Sequence, residues 1–252
     1  MNAPPLPPVL NSFPRRRPPL PPAYARIYAE EYRANRVGGN WLARAVQGLE
    51  GWMHRVIARD GGARPGPVLE LGAGTLNHLP YEGARPYDVV EPFDALYDAG
   101  TAQGQIRQRF RAMDEVPAER CYQRILSVAV LEHLQDLPGV IARSALHLTA
   151  DGICQHSIPS EGGLAWGLAW RLTTAVAYRL RTGLSYGVLM RYEHLNRADE
   201  ILTVLRWFYA EVRVRRFPLP GLHPSLYTYI RASAPRLERC RAYLERCGSP
   251  PP

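Results

Sequence analysis

From residue 65 onward, short apolar runs alternate with longer stretches whose apolar residues recur at helical spacing. The short runs predict buried strands and the longer stretches predict helices. Strands that alternate with helices are typical of a parallel sheet with helices on its faces. The predicted strands are Val68–Leu71, Tyr87–Glu91, Ile106–Phe110, Arg124–Val130 and Gly152–Ile158, with helices that begin near Thr75, Phe93 and Leu137.

The C-terminal part of the chain follows a different pattern. After a predicted helix at Ala198–Phe208, residues 211–217 and 225–232 alternate between apolar and polar, and "PLPGLHP" lies between them. Two alternating runs joined by a Pro/Gly loop predict an antiparallel hairpin. The expected fold is therefore α/β: a Rossmann-like, seven-stranded, mostly parallel sheet that ends in a C-terminal antiparallel hairpin, over residues 63–233.

Two segments precede this sheet domain. Residues 1–22 are rich in proline, which lacks a backbone donor and does not fit a helix interior, so we expect a disordered or polyproline II leader. Its PxxP spacing would also suit an SH3-like partner. Residues 23–62 have helical periodicity with a break at Gly38–Gly39, and they predict an N-terminal helical cap. Residues 234–252 are expected to form a C-terminal helix or tail.

An insertion at residues 161–192 interrupts the sheet domain. Its apolar part carries only Arg171 and Arg179 as charges over residues 163–180, with Trp166 and Trp170 one helical turn apart. That length is borderline for a membrane span, and the arginines argue against spanning. We expect a helical lid packed on the sheet domain. The alternative is a pocket for an apolar or lipid-linked acceptor, with peripheral membrane contact through residues 163–180.

Charge and cysteine content narrow the classes of function only a little. The net charge is +8, and all 31 basic residues are arginines spread along the chain, which indicates a solvated basic surface more than a nucleic-acid site. The four cysteines lack metal-ligand spacing and the seven histidines are scattered, so no metal site is expected. Without a signal-like apolar segment at the N-terminus, we expect a cytoplasmic protein. The alternative is a cytoplasmic protein that associates with a membrane.

The stretch "VLELGAGTLNHLPYEG" at residues 68–83 carries the strongest candidate chemistry. Gly72 and Gly74 follow a predicted strand, at the edge where parallel sheets bind ligands. Glu91 ends the next strand, where a carboxylate can accept hydrogen bonds from both hydroxyls of a ribose. The alternative role for Glu91 is a capping carboxylate before a helix. A dinucleotide loop would need a third glycine at position 77, which is asparagine, so an NAD(P)-dependent oxidoreductase is the weaker interpretation.

"LELGAGT", "YDVVEP", "RILSVAVLEHL" and "HSIPSEGG", in this order, resemble the class I S-adenosylmethionine-dependent methyltransferases, in particular the small-molecule-directed, type 11-like group. The resemblance covers about residues 65–160 and continues more loosely over 193–232. It implies S-adenosyl-L-methionine as cofactor. It also implies a set of cofactor-binding residues on the strand ends and the loops that follow them: Glu70, Gly72, Ala73, Gly74, Asn77, Glu91, Pro92, Met113, Asp114, Ala129 and Val130.

Within that resemblance, two points depart from the family pattern. The family often has an aspartate near the adenine, but aligned on Pro117 that place falls at Ala112, with Met113 beside it and Asp114 displaced. Two alternatives for adenine recognition therefore remain: Met113 packs on the adenine ring, or Asp114 contacts it. The family's Phe-Asp before the fourth strand is replaced here by Tyr122-Gln123.

Methyl transfer to oxygen or nitrogen needs an aligned acceptor and, for many acceptors, a base. His133 follows the fourth strand and His194 precedes the helix at 198, so both are candidates for catalytic or acceptor contacts; a capping role is the alternative for each. The expected activity is methyl transfer to an O or N atom of a small-molecule, glycan or lipid-like acceptor. An RNA-directed methyltransferase and a non-catalytic interaction module remain as alternatives.

Overall fold

The computed structural model describes residues 5–34, 41–61, 64–83, 85–98, 100 and 102–248. The predicted break at Gly38–Gly39 lies outside these residues. Seven strands form one sheet in the order β3-β2-β1-β4-β5-β7-β6. The strands are β1 (Val68–Leu71), β2 (Tyr87–Val90), β3 (Gln108–Phe110), β4 (Tyr122–Val128), β5 (Leu148–Pro159), β6 (Tyr209–Pro218) and β7 (Ser225–Pro235).

Strands β1 to β5 pair in parallel, and β7 runs antiparallel to both β5 and β6. The sheet reverses its order between β1 and β4, because β2 and β3 lie on one side of β1 and all later strands lie on the other. Ligands of open α/β sheets bind at the carboxyl edge beside such a reversal. The predicted Rossmann-like fold with its terminal hairpin is confirmed.

Helices cover both faces of the sheet. They are α1 (Pro22–Ala34), α2 (Trp41–Gly61), α3 (Asp94–Tyr97), α4 (Leu137–Leu146), α5 (Leu164–Leu172), α6 (Thr174–Thr182), α7 (Tyr186–Glu193), α8 (Ala198–Phe208) and α9 (Leu237–Arg246). Helices α4, α8 and α9 bury their apolar faces in the larger core cluster, and α2 closes a smaller cluster on the opposite face. The insertion folds as three short helices, α5 to α7.

Residues 8–12 of the leader differ from the predicted disordered or polyproline II conformation. Residues 8–12 form a short 3-10 helix, and Leu10 is 1% exposed within the core cluster that includes α8. Arg15 donates hydrogen bonds to both carboxylate oxygens of Glu200, at 2.6 and 2.9 Å, and to the carbonyl of Leu195. Proline content limits regular secondary structure here, but it does not prevent side chains from packing.

The helix predicted to begin near Thr75 is also absent. Residues 74–78 form consecutive turns, and only a short 3-10 helix at Leu79–Tyr81 follows β1. The backbone explains this difference, because Gly72, Gly74 and Leu76 have φ values of +63°, +52° and +64°. A chain that returns to the left-handed region at every second residue cannot continue as a right-handed helix.

Candidate active site

The loop after β1 forms the floor of the candidate cofactor site. A Cβ atom on Gly72 would lie 2.6 Å from a methyl group of Val130, so only glycine fits between β1 and the loop after β4. A Cβ atom on Gly74 would meet no atom within 4 Å. Gly72 therefore permits close packing within the protein, whereas Gly74 faces open space that a ligand can occupy.

Glu91 fastens this loop to the end of β2. The N–H of Gly74 donates to Oε2 of Glu91 at 2.7 Å, and the N–H of Phe93 donates to Oε1 at 2.9 Å. The carboxylate is 3% exposed. Each of its oxygens has a second lone pair, so Glu91 can accept further hydrogen bonds while it holds the loop. Glu91 is not a side-chain cap of α3, because its contact is with the N–H of Phe93, the residue before the helix, and a ligand-binding role for it stays a prediction.

A cavity of about 330 Å³ opens beside the loop. This volume lies within the range of small-molecule sites. Its walls include six of the residues named above as cofactor-binding, and six residues outside that set. The first group is Glu70, Gly72, Ala73, Gly74, Asn77 and Ala129, and the second is Met53, His54, Thr75, His78, Leu96 and Val128.

The other five selected residues lie outside the cavity wall. Glu91 is one of them, and it contacts the wall through the N–H of Gly74. Pro92 and Asp114 are exposed, and Met113 is 5% exposed within the core cluster that contains Phe110. Val130 contacts the cavity only through Gly72, against which its side chain packs. The expectation that Met113 packs against an adenine ring is not supported by this arrangement, because its side chain is already enclosed by the core.

Glu70 is a buried carboxyl group in the cavity wall. Burial raises its pKa to about 8, despite a hydrogen bond from the Tyr87 hydroxyl to Oε2 at 3.0 Å. Glu82 and Glu91 add a smaller rise through charge repulsion. Burial therefore favours the protonated form of Glu70, and a cationic ligand group beside it would favour its ionised form.

A second group of ionisable side chains lies beyond the carboxyl ends of β4 and β5. The rings of His133 and His194 meet edge to face, with their centroids 4.8 Å apart. His133 Nδ1 lies 2.9 Å from the carbonyl oxygen of Glu193, and His194 Nδ1 lies 2.7 Å from Oε2 of Glu161. The fold thus brings together the two histidines that the sequence selected.

Carboxylates surround these rings. Glu132 is 1% exposed, burial raises its pKa, and its Oε2 has no hydrogen-bond partner among the described residues. Burial by itself lowers the pKa of His194, but the hydrogen bond to Glu161 and the nearby carboxylates of Glu132 and Glu193 outweigh that effect and raise it. Within the described part of the chain, no group of His, Cys, Asp or Glu is arranged to hold a metal ion.

With this geometry established, the chain can be compared with known proteins. A family profile described as "Methyltransferase domain" matches residues 42–199, which include β1 to β5 and both clusters of candidate residues. The chain belongs to this methyltransferase family. It is a class I S-adenosylmethionine-dependent methyltransferase, and S-adenosylmethionine is its cofactor. No curated protein sequence matches the chain significantly.

Solved structures agree with the fold of this methyltransferase. A Burkholderia thailandensis 1,6-didemethyltoxoflavin-N1-methyltransferase with bound 1,6-didemethyltoxoflavin and S-adenosylhomocysteine is 21% identical, with 86% of this chain and 92% of that chain covered and a TM-score of 0.52. A Thermotoga maritima S-adenosylmethionine-dependent methyltransferase, a possible histamine N-methyltransferase, is 16% identical, with coverages of 75% and 96% and a TM-score of 0.52.

An O-methyltransferase family protein from Burkholderia thailandensis is 13% identical, with a TM-score of 0.50. The alignment covers 76% of this methyltransferase and 56% of that chain. At these identities the likeness concerns the fold alone. The acceptor has to be inferred from the residues of this methyltransferase itself.

The features of the cavity fit the cofactor. Gly74 leaves room for a ligand beside the loop, Glu91 retains lone pairs for ribose hydroxyls, and Glu70 lies where a cationic amino group would be stabilised. None of these features requires a phosphate group. The absence of glycine at position 77 is consistent with that chemistry, since Asn77 lines the cavity with its side chain exposed.

Helix α2 of the methyltransferase contributes a histidine that the sequence did not single out. His54 Nδ1 lies 3.1 Å from Nδ1 of His78, and their rings stack with centroids 5.3 Å apart. Burial, with added repulsion from His78 and Arg55, lowers the pKa of His54 to about 4. Periodicity predicts a helix at α2 but not which element it packs against, so only the tertiary structure shows that α2 forms one wall of the cavity.

His78 connects this wall to a buried charge network. Its Nε2 lies 3.0 Å from Oε1 of Glu82, and Glu82 accepts hydrogen bonds from the fully buried guanidinium of Arg124 at 2.7 and 2.9 Å. Burial alone raises the pKa of Glu82, but its hydrogen bonds with His78 and Arg124 lower it to about 2. The network fixes the loop after β1 against β4, and so fixes one side of the cofactor cavity.

Proposed function

We propose that this methyltransferase transfers a methyl group to an oxygen or nitrogen atom of a small-molecule, glycan or lipid-like acceptor, and that His133 and His194 contact the acceptor. The pairing of both histidines beyond the carboxyl ends of β4 and β5 carries this proposal. An imidazole held by a partner through one nitrogen presents its other nitrogen to a substrate in a fixed direction.

The partners of the two rings determine their tautomers. A carbonyl oxygen only accepts hydrogen bonds, so His133 must carry its proton on Nδ1, facing Glu193. The carboxylate of Glu161 likewise holds the proton of His194 on Nδ1. In the neutral form of each ring, the lone pair is therefore on Nε2. Nε2 is the atom that can remove a proton from an O–H or N–H group.

We propose His194 as the general base. Its pKa lies above the ordinary value of 6.5, because Glu161 and the neighbouring carboxylates offset the effect of burial. A general base is most effective when its pKa is near the working pH. In the proposed reaction, Nε2 of His194 takes the proton from the acceptor while the acceptor's lone pair forms the new bond to the methyl carbon. S-adenosylmethionine supplies this methyl group from a sulfonium, and the bonding electrons remain with the sulfur.

We propose roles for the cofactor-binding residues on the same grounds. Glu91 accepts hydrogen bonds from the ribose, and the loop from Gly72 to Gly74, Glu70, Asn77 and Ala129 surround the methionine part. Asp114, exposed after β3, remains the candidate for an adenine contact, with Pro92 and Val130 as supporting residues. We also propose the cytoplasm as the compartment, since the four unpaired cysteines suit reducing conditions.

The test uses S-adenosylmethionine with an isotope-labelled methyl group, incubated with the full chain and fractionated cell extract. NMR of the labelled product separates methyl groups bound to oxygen, nitrogen and carbon. We expect an O- or N-methyl product, and a loss of turnover of about a hundredfold or more in His194→Gln. The control is His223→Gln, which changes an exposed histidine. A C-methyl product, or full activity of His194→Gln, would contradict the proposal.

A further inference from the structure

Helices α5 and α6 present a row of exposed apolar side chains to solvent. Leu164, Leu168, Leu172, Val176 and Leu180 follow one another at intervals of four residues, and their exposed fractions are 67%, 56%, 70%, 47% and 84%. Residues four apart lie on the same face of a helix. Several large apolar side chains exposed on neighbouring helices mark an interaction site more often than a single exposed leucine does. We call this row the leucine row.

The exposure of the leucine row does not result from poor packing of the insertion on the protein. The insertion packs on the protein through other side chains: Trp166 contacts the ring of Tyr227, and Tyr178 is 2% exposed beside Tyr186. The N–H of Ala165 also bonds to the carbonyl of His223. The four-residue spacing continues along the sequence from α5 to α6, and Thr173, with φ −111° and ψ −81°, divides the row between the two helices.

The charged side chains of α5 and α6 all have one sign, whereas the ends of the insertion carry Glu161 and Glu193. Residues 162–192 contain four arginines and no aspartate or glutamate. Arg171, Arg179 and Arg181 are exposed on the same two helices as the row, and the guanidinium of Arg171 lies 4.7 Å from the centroid of the Trp170 ring. Leucine and tryptophan beside arginine are typical of helices that lie in the interface of an anionic membrane.

The insertion also connects this surface to the proposed acceptor site. It begins beside Glu161, which contacts His194, and it ends at Glu193, whose carbonyl contacts His133. Both of its ends therefore join the histidine pair.

We propose that the leucine row and its arginines dock the protein peripherally on an anionic lipid bilayer. Among the described residues, no helix is long and apolar enough to cross a membrane. Helices of nine residues reach only about 14 Å, so they can lie in the interface but cannot span it. A second copy is the less suitable occupant, because an isologous contact would bring the two sets of arginines together.

The test is flotation of the full chain with phosphatidylcholine vesicles and with vesicles that also contain phosphatidylglycerol. We expect binding to the mixed vesicles that weakens as salt increases. Leu168→Ser/Leu172→Ser/Leu180→Ser should reduce the partition coefficient at least about tenfold. Arg171→Gln/Arg179→Gln should reduce it about tenfold on mixed vesicles and much less on phosphatidylcholine alone.

Matched controls change similar residues elsewhere. Leu237→Ser alters an exposed leucine on α9, and Arg206→Gln/Arg241→Gln removes two exposed arginines outside the insertion. Both controls should bind vesicles like the unaltered chain. Equal binding by the leucine triple variant and the unaltered chain would overturn the proposal, as would no binding to mixed vesicles. Light scattering that shows a dimer in the unaltered chain and a monomer in the triple variant, without vesicle binding, would assign the row to a second copy.

The docking proposal and the methyl-transfer proposal fail separately. Calorimetry with S-adenosylhomocysteine checks that each variant retains its cofactor site, since none of the substituted residues lines the cavity. Vesicle binding without an O- or N-methyl product would leave the docking surface standing. An O- or N-methyl product without vesicle binding would contradict the docking proposal alone.

Discussion

The imidazoles of His133 and His194 lie edge to face with centroids 4.8 Å apart, although the whole helical insertion separates them in sequence. Each ring is held through Nδ1, His133 by the Glu193 carbonyl and His194 by the Glu161 carboxylate. The insertion therefore does more than cover the sheet, because its two ends supply the groups that orient the pair. Any change in how the insertion packs should alter the chemistry at both rings.

The first prediction concerns Glu161→Gln. The amide keeps a hydrogen-bonding group near Nδ1 of His194 but removes the charge that helps raise its pKa. We expect the pKa of His194 to fall, so that the acid limb of the activity profile shifts to lower pH. NMR titration of histidine ring protons measures this without an acceptor, and His194→Gln identifies the signal. An unchanged pKa would show that Glu161 does not control the ring.

The second prediction concerns Glu91→Ala. This change removes the acceptor for the N–H groups of Gly74 and Phe93, and the proposed ribose contact. Hydrogen bonds to a charged group contribute about 1.5–3 kcal/mol each. We expect S-adenosylhomocysteine to bind at least about tenfold more weakly by calorimetry. The control is Asp98→Asn, an exposed acid after α3, which should bind normally. Equal affinity in Glu91→Ala and the control would remove Glu91 from the site.

The third prediction concerns pH and Glu70. Its folded-state pKa is about 8 against 4.5 for the free side chain, so between these values the folded protein holds a proton that the unfolded chain has released. The free energy of unfolding should therefore fall as pH rises through this window, and Glu70 should contribute no further change above it. Urea unfolding of Glu70→Gln should show a shallower decline. If the free energy of unfolding of Glu70→Gln declined as steeply as that of the unaltered protein, the pH dependence would come from other groups.

The fourth prediction separates the two glycines of the loop. Gly72→Ala would place its Cβ atom 2.6 Å from Val130 at φ +63°, so it should destabilise the fold, by about 2 kcal/mol or more. Gly74→Ala meets no atom, so its cost should be limited to the strain of φ +52°, about 1 kcal/mol. Thermal unfolding measures both. Gly74→Ala should nevertheless weaken S-adenosylhomocysteine binding in calorimetry, because its methyl group enters the cavity.

Local sequence pattern was sufficient for much of the fold. The runs at Val68–Leu71 and Ala198–Phe208 match the observed elements, and the alternation after residue 210 predicts the hairpin that closes the sheet. Each of these elements has one buried face, and the spacing of apolar residues in the sequence identifies that face directly. The sequence pattern placed His133 after the fourth strand and His194 before a helix, and the fold brings the two rings together.

What the sequence did not reveal depends on contacts between distant segments. Leu76 has φ +64° and a buried side chain, so the loop after Gly74 turns where the sequence predicts a helix. No local signal in a leucine indicates left-handed backbone. His54 joined the cavity, and Leu10 joined the core, because of tertiary packing alone. Met113, selected by alignment with a family pattern, lies in the core because the pattern fixes its position in the chain and not its environment.

The last prediction concerns the leader. Leu10 is 1% exposed against α8, so Leu10→Ala should leave a cavity and destabilise the protein by about 2–4 kcal/mol. The control is Leu219→Ala, a leucine that is 57% exposed, for which we expect a change below about 0.5 kcal/mol. Urea unfolding followed by circular dichroism measures both. If the two variants were equally stable, the leader would not be part of the folded core, and the salt bridge of Arg15 with Glu200 would have no structural role either.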